Sequence, residues 1–414
     1  MQLLPNNPSS QSRTLTEKIL NKIEGLTKPS KKFFVSTIFL FLSMRGRYTF
    51  KGFERYGNYC EKSYRLHFEK GFDFLEFNIE LAKSSLSENL IIAFDPCYLP
   101  KSGKHTPGIG KYWSGTLGKA TAGLEIGGLG IIDLDSNTAF HLEAVQTPGL
   151  SQRKEDGNTL TDHYAELIVE RAPKLEGFTK YLVVDGYFYK QKFVDPIKEK
   201  TNFEIICKLP QNANLKYVYK GPKRTGRGRP QKYDGKVNMK KVDKRKFKKL
   251  YQDDDVIIYE NVVWAVHLKT MIKVAYVEFR DEGESTKRCA FFFSTDLELD
   301  AKSIYQFYKA RFQIEFLFRD AKQFTGLTHC QARSENKIHF HVNTSLSAVS
   351  VAKIAHYINP KDNQFNSYSI SDIKTSYFNE RMLNLFLFNF DINPELNKNK
   401  KAIKRILEFG KIAA

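Results

Sequence analysis

Apolar and polar positions alternate with two different periods along the chain. Residues 31–86 follow a helical period, and their longest apolar run, residues 33–44, has 12 residues. A membrane-spanning helix needs about 20 apolar residues, so this run predicts a buried helix and no membrane span. From residue 90 the apolar runs are short, and residues 90–209 predict three strands, a helix, a strand, a helix and a strand.

The change from a helical period to short apolar runs predicts an α/β fold built from four parts of the chain. Residues 1–87 form an N-terminal helical region, in which residues 50–70 are compatible equally with a DNA-binding helix-turn-helix and with a plain helical hairpin. Residues 88–209 and 289–330 form the α/β core, which ends in one long helix over residues 300–324. A basic, strand-rich segment at 210–288 interrupts that core, and residues 331–414 are helical again.

The net charge of the chain indicates which class of molecule it binds. The chain has 65 Lys and Arg against 46 Asp and Glu, and its net charge of +19 favours a polyanion. Nucleic acid is the first choice and an anionic membrane surface the second. The five cysteines include no CxxC pair, which argues against a zinc ribbon or a disulfide framework and fits a reducing cytoplasm.

Two predicted strands are followed directly by an acid, Asp95 after LIIAF and Asp185 after KYLVV. The carboxyl ends of strands are where an α/β sheet presents its site. Two such acids, with a third from a helix, can hold two divalent metal ions, and carboxylate oxygens suit Mg²⁺ or Mn²⁺. For each aspartate alone, a strand-end cap or turn residue is the simpler interpretation.

The helix predicted over 300–324 supplies the third acid. At about 100° per residue, Tyr308, Arg311, Glu315 and Lys322 fall within roughly 60° of one another, whereas Asp320 lies about 140° from Glu315 and is left out. The simple alternative for Glu315 is a surface ion pair with an arginine four residues away. Arginine and lysine on the same face are suited to binding phosphate.

This segment, YKARFQIEFLFRDAK, fits the pattern Tyr-x2-Arg-x3-Glu-x6-Lys and resembles the signature of bacterial insertion-sequence transposases of the insertion-sequence-four family. With Asp95 and Asp185 it resembles the Asp-Asp-Glu triad of those enzymes. The order of elements from about 88 to 325 resembles a ribonuclease H-like core, and 210–288 resembles their β-rich insertion. The chain departs from better-known relatives after Asp185, where Gly-Tyr-Phe replaces an Arg-Glu pair.

The resemblance implies a DNA transposase that cleaves phosphodiesters at transposon ends and transfers the freed strands into target DNA. It implies that Asp95, Asp185 and Glu315 bind two Mg²⁺ ions, for which Mn²⁺ can substitute. It also implies that Tyr308, Arg311 and Lys322 position double-stranded DNA, that the protein forms a homodimer on DNA, and that it acts in the bacterial cytoplasm. A catalytically silent DNA-binding derivative and a nuclease without strand transfer remain the alternatives.

Other polar segments are open to two interpretations. Lys104, in a basic glycine-containing loop with Lys101, His105 and Lys111, and the two arginines Arg227 and Arg229 of GRGRP are candidates for DNA contact or parts of solvated loops. His141 and Glu143 are interpreted as ordinary polar groups of a sheet rather than as ligands. Trp264 is the one tryptophan of the 210–288 segment, and no role is assigned to it.

Overall fold

Five helices open the part of the chain that the computed structural model describes, which comprises residues 8–103, 105–222, 230–280, 288–357 and 368–412. Thr27, Thr49 and Asp73 begin three of these helices by accepting a hydrogen bond from a first-turn amide. The helices are α1 (Ser10–Lys22), α2 (Lys28–Ser43), α3 (Phe50–Tyr56), α4 (Glu61–Glu69) and α5 (Phe74–Lys83).

A mixed sheet with flanking helices follows. Its elements in chain order are β1 (Leu90–Pro100), β2 (Gly110–Ser114), β3 (Lys119–Asp133), β4 (Thr138–Gln146), α6 (Leu150–Glu155), α7 (Leu160–Leu175), β5 (Tyr181–Val184), α8 (Gln191–Lys200) and β6 (Glu204–Lys208). In space the order is β4-β3-β1-β5-β6, with β1 antiparallel to β3 and parallel to β5. This mixed α/β arrangement fits a ribonuclease H-like fold.

Two details of this region differ from the sequence expectation. The strand β1 does not end at Asp95 but continues to Pro100, because its pairing with β3 continues as far as the Pro100–Gly123 pair. The glycine-rich segment after it, expected to be a loop, contains β2, which pairs with the start of β3. Both differences arise from β3, which is long enough to pair with two successive strands.

The next strands extend the same sheet. They are β7 (Leu215–Val218), β8 (Tyr233–Lys236), β9 (Lys248–Gln252), β10 (Val256–Ala265), β11 (Thr270–Phe279) and β12 (Cys289–Ser294). The strand β12 pairs antiparallel with β6, with Phe293 opposite Cys207, and the order continues as β12-β11-β10-β7-β8, with β9 on β10. The strand periodicity predicted for 210–288 is therefore present, and these strands share hydrogen bonds with the core.

The last described helices are α9 (Ala301–Ala310), α10 (Phe312–Phe324), α11 (Glu335–Tyr357), α12 (Ile370–Asn389) and α13 (Asn397–Glu408). The single helix expected over 300–324 is interrupted at Arg311, where the Ile314 amide bonds to the Arg311 carbonyl at 3.1 Å, a three-residue closure. Arg311 itself keeps right-handed helical angles (φ −47°, ψ −34°), so the chain continues in nearly the same direction. The polar face from Tyr308 to Lys322 therefore survives the break.

Helix α11 is the centre of the core. It packs against α2 on one side and β4 on the other, and one continuous cluster of buried side chains joins the N-terminal helices to the sheet. Asn343 on α11 binds both the amide and the carbonyl of Ala144 on β4, at 2.8 and 2.9 Å. In the described parts of the chain, no helix has the length and apolar character needed to cross a bilayer.

Tyr48 connects the N-terminal helices to the end of α10. Its hydroxyl donates to the Phe324 carbonyl at 2.8 Å, and the buried Lys374 ammonium donates to the carbonyls of Phe41 and Met44 beside it. Gly326 follows α10 with a φ of +70°, and a Cβ there would lie 2.3 Å from the Tyr48 ring. Only glycine allows this approach.

We expect Gly326→Ala to lower the free energy of unfolding by about 2–5 kcal/mol, because a left-handed alanine costs about 1–2 kcal/mol and overpacking adds about 1–3 kcal/mol. Gly25→Ala is the matched control, since Gly25 has a φ of +75° and nothing within 4 Å of its Cβ position. Urea denaturation measures both variants. Equal losses in the two would show that Tyr48 does not constrain Gly326.

His141 and Glu143 both take part in packing of the sheet, in agreement with their interpretation as sheet polar groups. The His141 ring contacts Asn343 at 2.8 Å, and Glu143 accepts from the Arg171 Nε at 2.7 Å, with His339 on its other side. Burial raises the pKa of Glu143, but hydrogen bonds from His339 and Arg171 outweigh it and lower that pKa to about 2.

Because the folded-state pKa of Glu143 is depressed, its stabilisation is complete above the ordinary value of about 4.3 and is lost as the pH falls towards 2. We expect Glu143→Gln to lower the free energy of unfolding by about 2–3 kcal/mol at pH 7, and the difference to shrink below pH 4. Glu170→Gln, which removes an exposed partner of the same arginine, is the control and should cost under about 0.5 kcal/mol. A pH-independent loss in Glu143→Gln would contradict the ionic origin of the effect.

Candidate active site

Asp95 and Asp185 lie next to each other at one edge of the sheet. The parallel pairing of β1 with β5 ends at Phe94 and Val184, and each aspartate is the residue that follows. Asp185 begins a short 3-10 turn without capping it through its side chain, and its Oδ1 instead lies 3.3 Å from the Tyr308 hydroxyl. Asp95 is within its strand. A strand-end cap, which was the simpler interpretation of each aspartate alone, therefore explains the position of neither carboxylate.

Glycines in β3 bring α10 onto the sheet above these aspartates. Gly128 is the residue opposite Asp95, and a Cβ on it would lie 2.5 Å from the Phe318 ring. A Cβ on Gly130 would lie 3.2 Å from the Ile314 Cδ1. The two buried side chains of α10 thus rest directly on the β3 backbone, which places Glu315, between them in the sequence, near the edge of the sheet.

Arg311 joins the helix to the strand. Its Nη1 lies 3.3 Å from Asp95 Oδ1 and its Nη2 lies 2.7 Å from Glu315 Oε1. A surface ion pair accounts for the contact with Glu315 but not for the contact with Asp95. The Arg311 side chain is only 10% exposed, and its Nε has no hydrogen-bond partner among the described residues. The guanidinium is therefore held between two carboxylates and retains one unused donor.

Burial is the largest electrostatic effect at this edge. The pKa of Asp95 is raised to about 7, mainly by burial, with Arg311 opposing the rise, Glu315 and Asp185 adding to it and Lys322 opposing it. Burial also raises the pKa of Tyr308. For Arg311, burial lowers the pKa but the acids around it outweigh that effect and raise it. The site thus has more carboxylates than nearby cations can neutralise.

The donor set fits a divalent metal. Asp95, Asp185 and Glu315 present hard carboxylate oxygens, and burial keeps the pKa of Asp95 raised although Arg311 lies beside it. Across the described ranges, no three His, Cys, Asp or Glu side chains are already arranged as a metal-binding group. In this structure the Arg311 guanidinium, rather than a ligand geometry, connects Asp95 with Glu315.

The remaining predicted residues are placed differently. Lys322 is half-buried on α10 beside the Cys97 thiol, two residues beyond Asp95 on β1, so it belongs to the same edge. Asp320 pairs with Arg319 at 3.2 Å, away from the two aspartates. Lys104, Arg227 and Arg229 lie outside the described residues.

Comparison with known protein families gives one match. The model of the family described as "Transposase DDE domain" matches residues 140–350, which is half of the chain and includes Asp185 and Glu315. The chain belongs to the DDE transposase family. Asp95 precedes the matched span. No curated protein matches the chain.

Membership of the family supports a transposase function and DNA as the partner. DDE transposases generally use divalent metal ions, which agrees with the chemistry of the three carboxylates.

Two contributors to this candidate site were not predicted from the sequence. The glycines of GLEIGGLG allow α10 to approach the sheet, and the pair Gly127-Gly128 inside a strand was a usable signal for close packing. Cys207 on β6 donates its thiol to the Asp185 carbonyl at 3.2 Å. No spacing in the sequence connects these two residues, because only the parallel pairing of β5 with β6 brings them together.

We expect Gly128→Ala to lower metal-dependent DNA cleavage by about 10-fold to 100-fold, because its Cβ would displace Phe318 and move Glu315 away from Asp95. Gly115→Ala, at a position with nothing within 4 Å, is the control and should cleave normally. Single-turnover cleavage measures the effect, and circular dichroism confirms folding. Normal cleavage by a folded Gly128→Ala variant would contradict the role of this contact.

Proposed function

We propose that the chain is a transposase of the insertion-sequence-four family that cleaves phosphodiesters at transposon ends and transfers the freed strands into target DNA. The observation that carries the proposal is the convergence of Asp95, Asp185 and Glu315 through Arg311 and Tyr308 at one sheet edge. The Tyr-x2-Arg-x3-Glu-x6-Lys pattern supports the assignment to this subgroup, within the family that the match establishes.

In this proposal Asp95, Asp185 and Glu315 hold two Mg²⁺ ions, or Mn²⁺ in their place. Such ions, when bound, activate a water or a 3′-hydroxyl and stabilise the leaving oxygen of a phosphodiester. Tyr308 orients the Asp185 carboxylate through its hydroxyl. Arg311 sets the separation of the other two acids through its Nη1 and Nη2 groups. Lys322 supplies a second positive charge for the DNA backbone.

We further propose that different parts of the chain have different roles. Residues 88–209 and 289–330 form the catalytic core, 210–288 is a basic insertion that faces DNA, and 1–87 and 331–414 are helical regions for contacts with DNA or a second subunit. Trp264 packs against Tyr233, with ring centroids 5.8 Å apart, and has no assigned role in DNA binding. We also propose that the protein forms a homodimer, because two transposon ends must be paired, and that it acts in the bacterial cytoplasm.

The test uses duplex DNA made from the sequences that flank the coding region, with Mg²⁺ or Mn²⁺ present. We expect Asp95→Asn, Asp185→Asn and Glu315→Gln each to lower cleavage at least about 100-fold, since each removes a charged metal ligand. Glu199→Gln, on the exposed face of α8, is the control and should cleave normally.

Three outcomes would change the proposal in different ways. Cleavage unaffected in all three variants would remove the metal triad. Cleavage of flanking DNA without strand-transfer products in a target plasmid would indicate a nuclease of the same fold. Binding of that DNA without cleavage, with either metal, would indicate a silent DNA-binding protein.

A further inference from the structure

A basic cleft of about 530 Å³ lies where three distant segments of the chain meet. Arg47 reaches it from the α2–α3 connection, Lys101 from the end of β1, and His329 and Arg333 from the α10–α11 connection. The other lining residues are uncharged, so within the described chain no carboxylate lines the cleft. Four basic side chains therefore face one volume without a counter-ion from its walls.

The cleft is held in shape by one of its own cations. The Lys101 ammonium donates to the carbonyls of Cys330 and Ala332, at 2.5 and 2.9 Å, and so fixes the α10–α11 connection against the end of β1. The Tyr48 amide lies 3.5 Å from the His329 Nδ1 and brings the N-terminal side of the cleft against the same connection. These contacts tie the three segments to one another.

The basic side chains of the cleft lower one another's pKa values. Burial lowers the pKa of Lys101 and Arg333 lowers it further, while burial and Arg47 together lower the pKa of His329. Arg47 and Arg333 are exposed, and neither has an ion-pair partner among the described residues. Their donors are therefore available to an anion, and binding one would relieve the mutual repulsion.

The position of the cleft relates it to the candidate active site. Pro100, on its wall, is five residues beyond Asp95 on the unbroken strand β1, which corresponds to about 17 Å at about 3.3 Å per residue. A DNA strand advances about 3.4 Å per nucleotide along the helix axis, so this distance corresponds to about five nucleotides. The cleft is also far larger than a single phosphate ion, which favours a stretch of polynucleotide.

We propose that this cleft binds backbone phosphates of the DNA strand held at the active site, about five nucleotides from the cleaved bond, through Arg47 and Arg333. The inference rests on the proposed function, because it takes DNA as the ligand and the Asp95 edge as the place of cleavage. Lys101 is a positioning residue in this arrangement, since its ammonium is already bonded to protein carbonyls.

The first experiment measures equilibrium DNA binding without divalent metal, so that cleavage does not interfere. Arg47→Gln and Arg333→Gln are compared singly and together, with Lys18→Gln, an exposed charge on α1, as the control. For the double variant we expect affinity to fall about 10-fold or more in 0.1 M salt and the slope of log affinity against log salt to fall by about 2, for all sequences alike. Thermal unfolding should not change.

A second experiment locates the contact. Ethylation of single phosphates should interfere with binding of the unmodified protein at positions about five nucleotides from the cleaved bond, and this interference should disappear in the double variant. Affinity and salt slope equal to those of Lys18→Gln would overturn the inference. So would a thermal shift with inorganic phosphate that the double variant loses while its DNA affinity is unchanged, because the ligand would then be a free phosphate compound.

The two proposals fail separately. If the double variant binds DNA normally while the unmodified protein cleaves DNA, the cleft inference is wrong and the proposed function stands. If the unmodified protein binds DNA through the cleft but never cleaves it, phosphate binding by the cleft stands, whereas its distance from a cleaved bond and the proposed function are wrong.

Discussion

The Arg311 guanidinium, placed between the carboxylates of Asp95 and Glu315, is the interaction on which the site depends. Carboxylates brought together at a partly buried sheet edge repel one another, and burial adds a desolvation cost. A cation anchored between α9 and α10 and pointing at β1 offsets both effects, because it is itself only 10% exposed and bonded on two sides. The helix and the strand are therefore coupled by charge as well as by packing.

That coupling needs two features of the backbone. The helical ladder closes over three residues at Arg311 while the chain keeps its direction, so Tyr308 on α9 and Glu315 on α10 both face the aspartates. Gly128 and Gly130 on β3 have no side chains, and this lets α10 lie close to the sheet. A charged side chain can bridge a helix–sheet contact only if the helix lies close to the sheet. The glycines of the sheet allow that close approach.

Patterns that depend on neighbouring residues were predictable from the sequence. The spacing of Tyr308, Arg311 and Glu315 predicted their common face, and the hydrophobic strand before Asp185 predicted its place at a sheet edge. The extension of β1 to Pro100 and the break at Arg311 were not predictable, because they depend on which strand β3 pairs with and on contacts across the fold. The sequences around Arg47 and around Arg333 likewise do not indicate that these two residues line the same cleft.

The dependence of the core on α11 and α12 also has a consequence during synthesis. Helix α2 is almost wholly apolar on its buried faces. Nearby segments cover part of it, with Phe33 stacked on His67 and Phe34 on Phe72, but α11 and α12, which also pack on it, lie more than 290 residues later. At translation rates of about 5–20 residues per second, that interval lasts roughly tens of seconds. For this period the nascent chain carries a partly uncovered apolar helix, which makes it a client for chaperones long before it has a finished site.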